Sequence, residues 1–163
     1  MNYHDLRTDD MLNGSGLRVV LFVSGCDHKC KECQNPQTWD YNSGEKFDKD
    51  TYNELISRID KDYIKGLTLS GGDPLNKHNI EDVLWICQDI KYKFPNKNIW
   101  LYTGYEFEQI KDLKVLKYID VLVDGKYDCT KNDINYEWAG STNQKIIDVQ
   151  KTLKVGEIVL WKN

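Results

Sequence analysis

The sequence contains no apolar run approaching the ~20 residues needed to cross a bilayer. Its first thirty residues, opening MNYHDLRTDDMLNG, have neither the basic start nor the apolar middle of a secretory leader. These two absences predict a cytoplasmic protein. A basic stripe is also missing: 22 Lys and Arg are interleaved with 26 Asp and Glu for a formal net charge of -4, which excludes the electrostatic footprint of a nucleic-acid binder. Proline is scarce, with three in the chain, and the eleven glycines fall singly or in short turns, so there is neither an internal repeat nor a low-complexity segment. What remains is 163 residues, 40% hydrophobic and 29% charged, a composition for one globular domain that can bury its own core. Cysteine is limited to five, yet Cys26, Cys30 and Cys33 crowd into SGCDHKCKECQNPQTWD. In a reducing compartment an odd, clustered set points to metal ligation or catalysis rather than to a disulfide framework.

Four short apolar runs rich in Val, Ile, Leu and aromatics read as buried strands: Leu17 to Val23, Gly66 to Ser70, Asn98 to Thr103 and Ile119 to Asp124. Helical spacing fills the gaps. Tyr52, Leu55, Ile56 and Ile59 follow an acidic start at Asp48 and Asp50, and Ile80, Val83, Leu84, Cys87 and Ile90 follow a candidate N-cap, Asn79, and stop before Pro95. Phe107, Ile110, Leu113 and Leu116 make a weaker stripe. The tail KTLKVGEIVLW suits a hairpin or an edge strand. Strands alternating with helices predict a mostly parallel sheet with right-handed crossovers. The chain is too short for eight βα units, which need ~250 residues. The expected fold is therefore α/β, an incomplete (partial) TIM-like β/α barrel in a single domain, residues 1-163, with a doubly wound sheet as the other arrangement the pattern allows. In either case the ligand site lies at the carboxyl ends of the strands. There the cysteine loop, SGGDP, TGY and DGKY share one rim.

Three thiolates at the spacing CxxxCxxC can converge on one metal centre. A structural zinc site wants a fourth ligand, and His28 inside the motif is a candidate for it. An iron-sulfur cubane held by three thiolates instead leaves one iron open to a substrate or cofactor. Cys87 sits on the apolar face of its helix and reads as a core residue; Cys129 lies in a polar loop without a functional argument.

The cysteine spacing immediately after a first strand resembles that of the radical S-adenosylmethionine enzymes. LFVSGCDHKCKECQNPQTWD, GLTLSGGDPL, IWLYTGYEFE, IDVLVDGKYD and WAGSTNQKIIDVQ, in that order, resemble the activating proteins of anaerobic (class III) ribonucleoside-triphosphate reductases over nearly the whole chain. The resemblance implies that Cys26, Cys30 and Cys33 ligate a 4Fe-4S cluster whose open iron chelates S-adenosylmethionine, and that Gly71, Gly72 and Asp73 receive the methionine amino group. It places Glu32, Cys33 and Gln34 against the adenosyl moiety, and Thr103, Gly104, Asp124 and Lys126 near the methionine carboxylate or ribose. Glu32 stands where many relatives carry an aromatic residue. The implied activity is reductive cleavage of S-adenosylmethionine and formation of a glycyl radical on the large subunit of the reductase, with a low-potential donor such as flavodoxin. Two other classes remain: an activase of a different glycyl-radical enzyme, and a zinc-binding interaction module without chemistry.

Overall fold

The computed structural model describes residues 1-162 and contains seven strands. They are β1 (Asn2–Asp10), β2 (Arg18–Val23), β3 (Glu45–Lys46), β4 (Gly66–Gly71), β5 (Asn98–Tyr102), β6 (Val121–Asp124) and β7 (Lys145–Asp148). The four apolar runs become β2, β4, β5 and β6, which pair in parallel, β2 with β4, β4 with β5 and β5 with β6. Every residue of β2 and β6 is buried, as expected for strands covered on both faces. Antiparallel strands flank this centre: β1 on β2, β3 on β1 and β7 on β6, giving the order β3-β1-β2-β4-β5-β6-β7. The sheet is open, with β3 and β7 as its edges. The pairings thus give a mixed α/β domain without closure, and they do not carry the TIM-like curvature of the expectation.

The helices α1 (Lys49–Ile59), α2 (Ile80–Lys93), α3 (Phe107–Ile110) and α4 (Val149–Val155) occupy the connections. Asp48 caps α1 by accepting from the amides of Asp50 and Thr51, so the acidic start is a true N-cap. Asn79 precedes α2 but makes no side-chain cap; its amide donates instead to the carbonyls of Ser24 (2.7 Å) and Asp73 (3.0 Å). The weak stripe from Phe107 breaks into α3 and a 3-10 turn at Lys114–Tyr118.

Two segments depart from the periodicity reading. The N-terminal segment forms β1, a nine-residue strand in which only Leu6 is buried. It has no clean alternation, because register shifts between Tyr3 and Asp5 and between Arg7 and Asp10 break the pleat, and pairing with β2 is what makes it a strand. The tail folds as α4, ended by Gly156 in the left-handed conformation at φ 81°, and Leu160 then makes a single antiparallel bridge to Ile147. The edge strand is β7, just before the predicted segment.

One sheet face is covered by helices: Leu55 and Ile59 of α1 and Val83, Ile86 and Ile90 of α2 pack in one core with Leu21, Leu67, Leu69, Leu101 and Leu122. Each such side chain contributes roughly 1.5 to 3 kcal/mol by leaving water. Cys87 belongs to this core, fully buried, and burial pushes its thiol pKa far up. On the other face Trp100, Val121 and Val123 pack with Trp138 and Trp161. Arg18 is fully buried there. Its Nε donates to Thr68 Oγ1 (2.7 Å), its Nη2 to the carbonyl of Leu67 (2.8 Å), and its guanidinium lies 5.4 Å from the Trp100 ring centroid. Burial among these neutral acceptors lowers its pKa to about 10.

Candidate functional site

Because β2, β4, β5 and β6 run in parallel, their ends open onto one rim, and the loops that follow enclose a cavity of about 170 Å³. The first loop contributes Cys26, His28, Cys30, Cys33 and Gln34 to its wall, the second Gly71 and Gly72, the third Thr103 and Gly104, and the fourth Gly125. The topology thus brings together residues from four separated motifs.

The cysteine loop is anchored at both ends. Gly25 N donates to Thr38 O (2.7 Å) and Cys26 N to Trp39 O (3.0 Å), folding the loop back on the turn that begins at Pro36. Lys29 and Glu32 take positive φ angles of 47° and 57°, which tightens the backbone between the cysteines. Cys26 is half-buried, and desolvation raises its thiol pKa to about 11, opposed by hydrogen bonds from the amides of His28 and Lys29. The amide of Asn35 donates to Cys33 Sγ (3.4 Å). Such N–H···S contacts suit a thiolate bound to metal, whose charge they delocalise.

Among the described residues no group of three His, Cys, Asp or Glu side chains is gathered tightly enough to hold a single metal ion. The three thiols instead share the wall of one cavity. Soft donors set around a cavity fit an iron-sulfur cubane, whose protein ligands stand on separate irons. His28, the candidate fourth zinc ligand, has its Nε2 2.6 Å from Asp73 Oδ2 and its ring edge-on to Tyr105, with centroids 4.6 Å apart.

The loop after β4 is held against the cysteine loop by backbone bonds, Gly72 N to Val23 O (2.7 Å) and Asp73 N to Gly25 O (2.8 Å). Gly71 has φ 99°, and a Cβ there would lie 2.7 Å from the Val23 backbone. Only glycine allows the two loops to approach so closely. Asp73 is 1% exposed and lies behind the cavity wall, bonded to the wall residues His28, Thr103 and Gly104. Its carboxylate accepts from Leu75 N, Thr103 Oγ1, Gly104 N and His28 Nε2.

The remaining expected residues are distributed unevenly. Glu32 and Lys126 are exposed and lie outside the cavity wall. Asp124 is 1% exposed, and its carboxylate accepts from Phe107 N (2.8 Å) and Lys145 N (3.1 Å), where it ties α3 and β7 to the end of β6. Residues that periodicity did not single out complete the wall, among them Asn13, Trp39, Tyr102, Tyr127, Gly140 and Gln144. Gln144 accepts from the amides of Gly140 (2.9 Å) and Ser141 (3.1 Å) and donates to Gly125 O (2.9 Å). Its signal in the sequence is the segment WAGSTNQ, and that of Asn13 is the NGSG turn, whose Asn13 carbonyl accepts from Thr68 Oγ1 (2.8 Å).

Comparison with known proteins bears on this site. Residues 12–147 match the family of 4Fe-4S single cluster domains, a span that includes every wall residue named above. The chain is 50% identical over 147 residues to the anaerobic ribonucleoside-triphosphate reductase-activating protein of Enterobacteria phage T4, covering 90% of this chain and 93% of that protein. It is 45% identical to the protein of the same name from Vibrio cholerae serotype O1 and 42% identical to that from Escherichia coli K12, in each case over 150 residues, 90% of this chain and 97% of the relative. With a cluster-binding family matched over most of its length and relatives this similar nearly end to end, the chain belongs to the anaerobic ribonucleoside-triphosphate reductase-activating proteins.

Proposed function

We propose that the protein is a radical S-adenosylmethionine activase, acting in the cytoplasm, that generates a glycyl radical on the large subunit of an anaerobic ribonucleoside-triphosphate reductase. The observation that carries the proposal is the shared cavity wall: Cys26, Cys30 and Cys33 on one side, and Gly71 and Gly72 of SGGDP on the other. The names of the relatives support the choice of reductase.

In this reading Cys26, Cys30 and Cys33 hold a 4Fe-4S cluster. When bound, the cluster supplies one electron, from a low-potential donor such as flavodoxin, to the sulfonium of S-adenosylmethionine, breaking a carbon-sulfur bond to give methionine and a 5'-deoxyadenosyl radical that takes a hydrogen atom from a glycine Cα of the reductase. The chain's own residues position and shield. Gly71 and Gly72 let main-chain carbonyls reach the methionine amino group. Thr103 and Gly104, at the end of β5, face the methionine carboxylate or ribose, and Gln34 and the backbone at Cys33 face the adenosyl group. Glu32, Asp124 and Lys126, also expected near the cofactor, are not among the residues that line the cavity. No side chain needs to move a proton; the contribution of the protein is orientation and exclusion of water around a reactive radical.

The test is anaerobic reconstitution with iron and sulfide, followed by S-adenosylmethionine, a reductant and the reductase, with electron paramagnetic resonance to detect an organic radical on the reductase. A cluster that cleaves S-adenosylmethionine without producing that signal overturns the choice of partner while leaving the cofactor chemistry. Stoichiometric zinc without acid-labile sulfide overturns both.

A further inference from the structure

We propose that His28 is a positioning residue: through its bond to Asp73 it clamps the cysteine loop onto the loop after β4, and so shapes the S-adenosylmethionine pocket without ligating iron. The inference rests on the function proposed above and extends it to a residue inside the CxxxC step.

The two loops are joined in stages. Backbone bonds and the Asn79 amide secure the segment from Val23 to Gly25. Beyond Cys26 the connection passes to side chains: Asn76 Nδ2 donates to Asp27 Oδ2 (3.0 Å), and His28 Nε2 meets Asp73 Oδ2 at 2.6 Å. The first two of the three residues between Cys26 and Cys30 therefore reach the β4 loop, and they do so just before the segment that bears Cys30 and Cys33. Facing a carboxylate, Nε2 carries the hydrogen and donates it.

Asp73 is the hub. A carboxylate offers about four lone-pair positions, and four groups donate to this one: His28 Nε2, Thr103 Oγ1, Gly104 N and Leu75 N. With those positions filled, Asp73 acts on a bound ligand through the groups it orients, chiefly the β5 loop at Thr103 and Gly104, which lines the cavity. The His28 side chain is 9% exposed and that of Asp73 1%, so the bond is shielded from competing water. Gly104 completes the fit, because a Cβ there would run into the His28 ring. One imidazole thus links the loops after β2, β4 and β5.

This assignment separates His28 from two other roles. An iron ligand would be needed for the cluster to assemble; a group competing for Asp73 would weaken ligand binding by its presence. A clamp leaves iron content intact and strengthens binding. The experiment compares the wild type with His28→Ala, His28→Gln, Asp73→Asn and the His28→Ala/Asp73→Asn double variant. In the cluster-free chain, hydrogen-deuterium exchange of the segment 26–34 is expected to quicken in His28→Ala and to recover in His28→Gln, whose amide restores a donor. In reconstituted protein, iron per chain is expected to match the wild type. The S-adenosylmethionine concentration that half-converts the reduced-cluster resonance is expected to rise about tenfold in His28→Ala, typical for loss of an outer partner of a metal site. KM for S-adenosylmethionine should follow it while kcat at saturation holds, and the double variant should be no worse than the poorer single.

Iron lost from both His28→Ala and His28→Gln would overturn the clamp in favour of ligation, and tighter binding in His28→Ala would overturn it in favour of competition. Unchanged binding, or additive effects in the double variant, would also overturn it. Should His28→Ala not fold, His28→Gln alone decides: it must keep iron and binding close to wild type, while Asp73→Asn weakens binding. A wild-type cluster that ignores S-adenosylmethionine would instead defeat the proposed function, an outcome distinct from all of these.

Discussion

The loop after β4 and the end of β6 each deliver a buried aspartate to the same rim, and the two aspartates are put to different use. Asp73 and Asp124 are equally buried, at 1% exposure, and each accepts hydrogen bonds from more than one element. Asp73 collects His28, Thr103, Gly104 and Leu75 from loops that line or border the cavity. Asp124 collects the amides that open α3 and β7, groups of the scaffold. The β4 loop is therefore built around the site, whereas the β6 aspartate joins the site's supports to one another. Burial alone does not separate a site residue from a structural one; the identity of its donors does.

The comparison can be broken most severely at the cysteines. Replacement of Cys26, Cys30 or Cys33 by Ala is expected to reduce iron from about four per chain to background after reconstitution, with loss of radical formation; iron and sulfide analysis checks it. Next is Asp73→Ala, which strands four donors in a buried place. It is expected to cost about 3 kcal/mol in urea unfolding and to abolish the response of the cluster resonance to S-adenosylmethionine. Asp124→Ala strands two backbone amides and is expected to cost about 2 kcal/mol in the same unfolding measurement. Radical yield per folded chain should stay at the wild-type level, and a loss of yield without a loss of stability would erase the contrast between the two aspartates. The smallest effect is expected at Lys126→Ala, an exposed side chain off the cavity wall: stability within about 0.5 kcal/mol and an unchanged S-adenosylmethionine titration.

Much of the scaffold was readable in the chain. The four parallel strands announce themselves because a strand buried on both faces must be apolar throughout, as β2 and β6 are. The helices α1 and α2 are visible for a related reason: one face of each must meet the sheet. β1 escaped because a flanking strand with a single buried residue carries almost no periodic signal. The tail misled because Leu153 and Val155 alternate as in a strand, whereas in α4 both are exposed and Val149 and Thr152 are the buried residues; the left-handed Gly156 that ends α4 was the better cue. In the site, Cys26, Cys30, Cys33, Gly71 and Gly72 were recognisable from spacing and resemblance. His28 was visible as a candidate fourth zinc ligand or a loop histidine beside the three cysteines, and nothing local names Asp73 as its partner, 45 residues away.

By itself the sequence determined which segments lie at the centre of the sheet and that three thiols sit at one strand end, since both follow from local composition and spacing. The tertiary structure alone decided what each buried polar group does. Asp73 and Asp124 are the same residue type at the ends of two parallel strands separated by β5, and what distinguishes them is hydrogen-bond donors 31 and 45 residues away for one and 17 and 21 for the other. A carboxylate taken from water is committed to whichever donors the fold brings to it, and no periodicity in the chain encodes that choice.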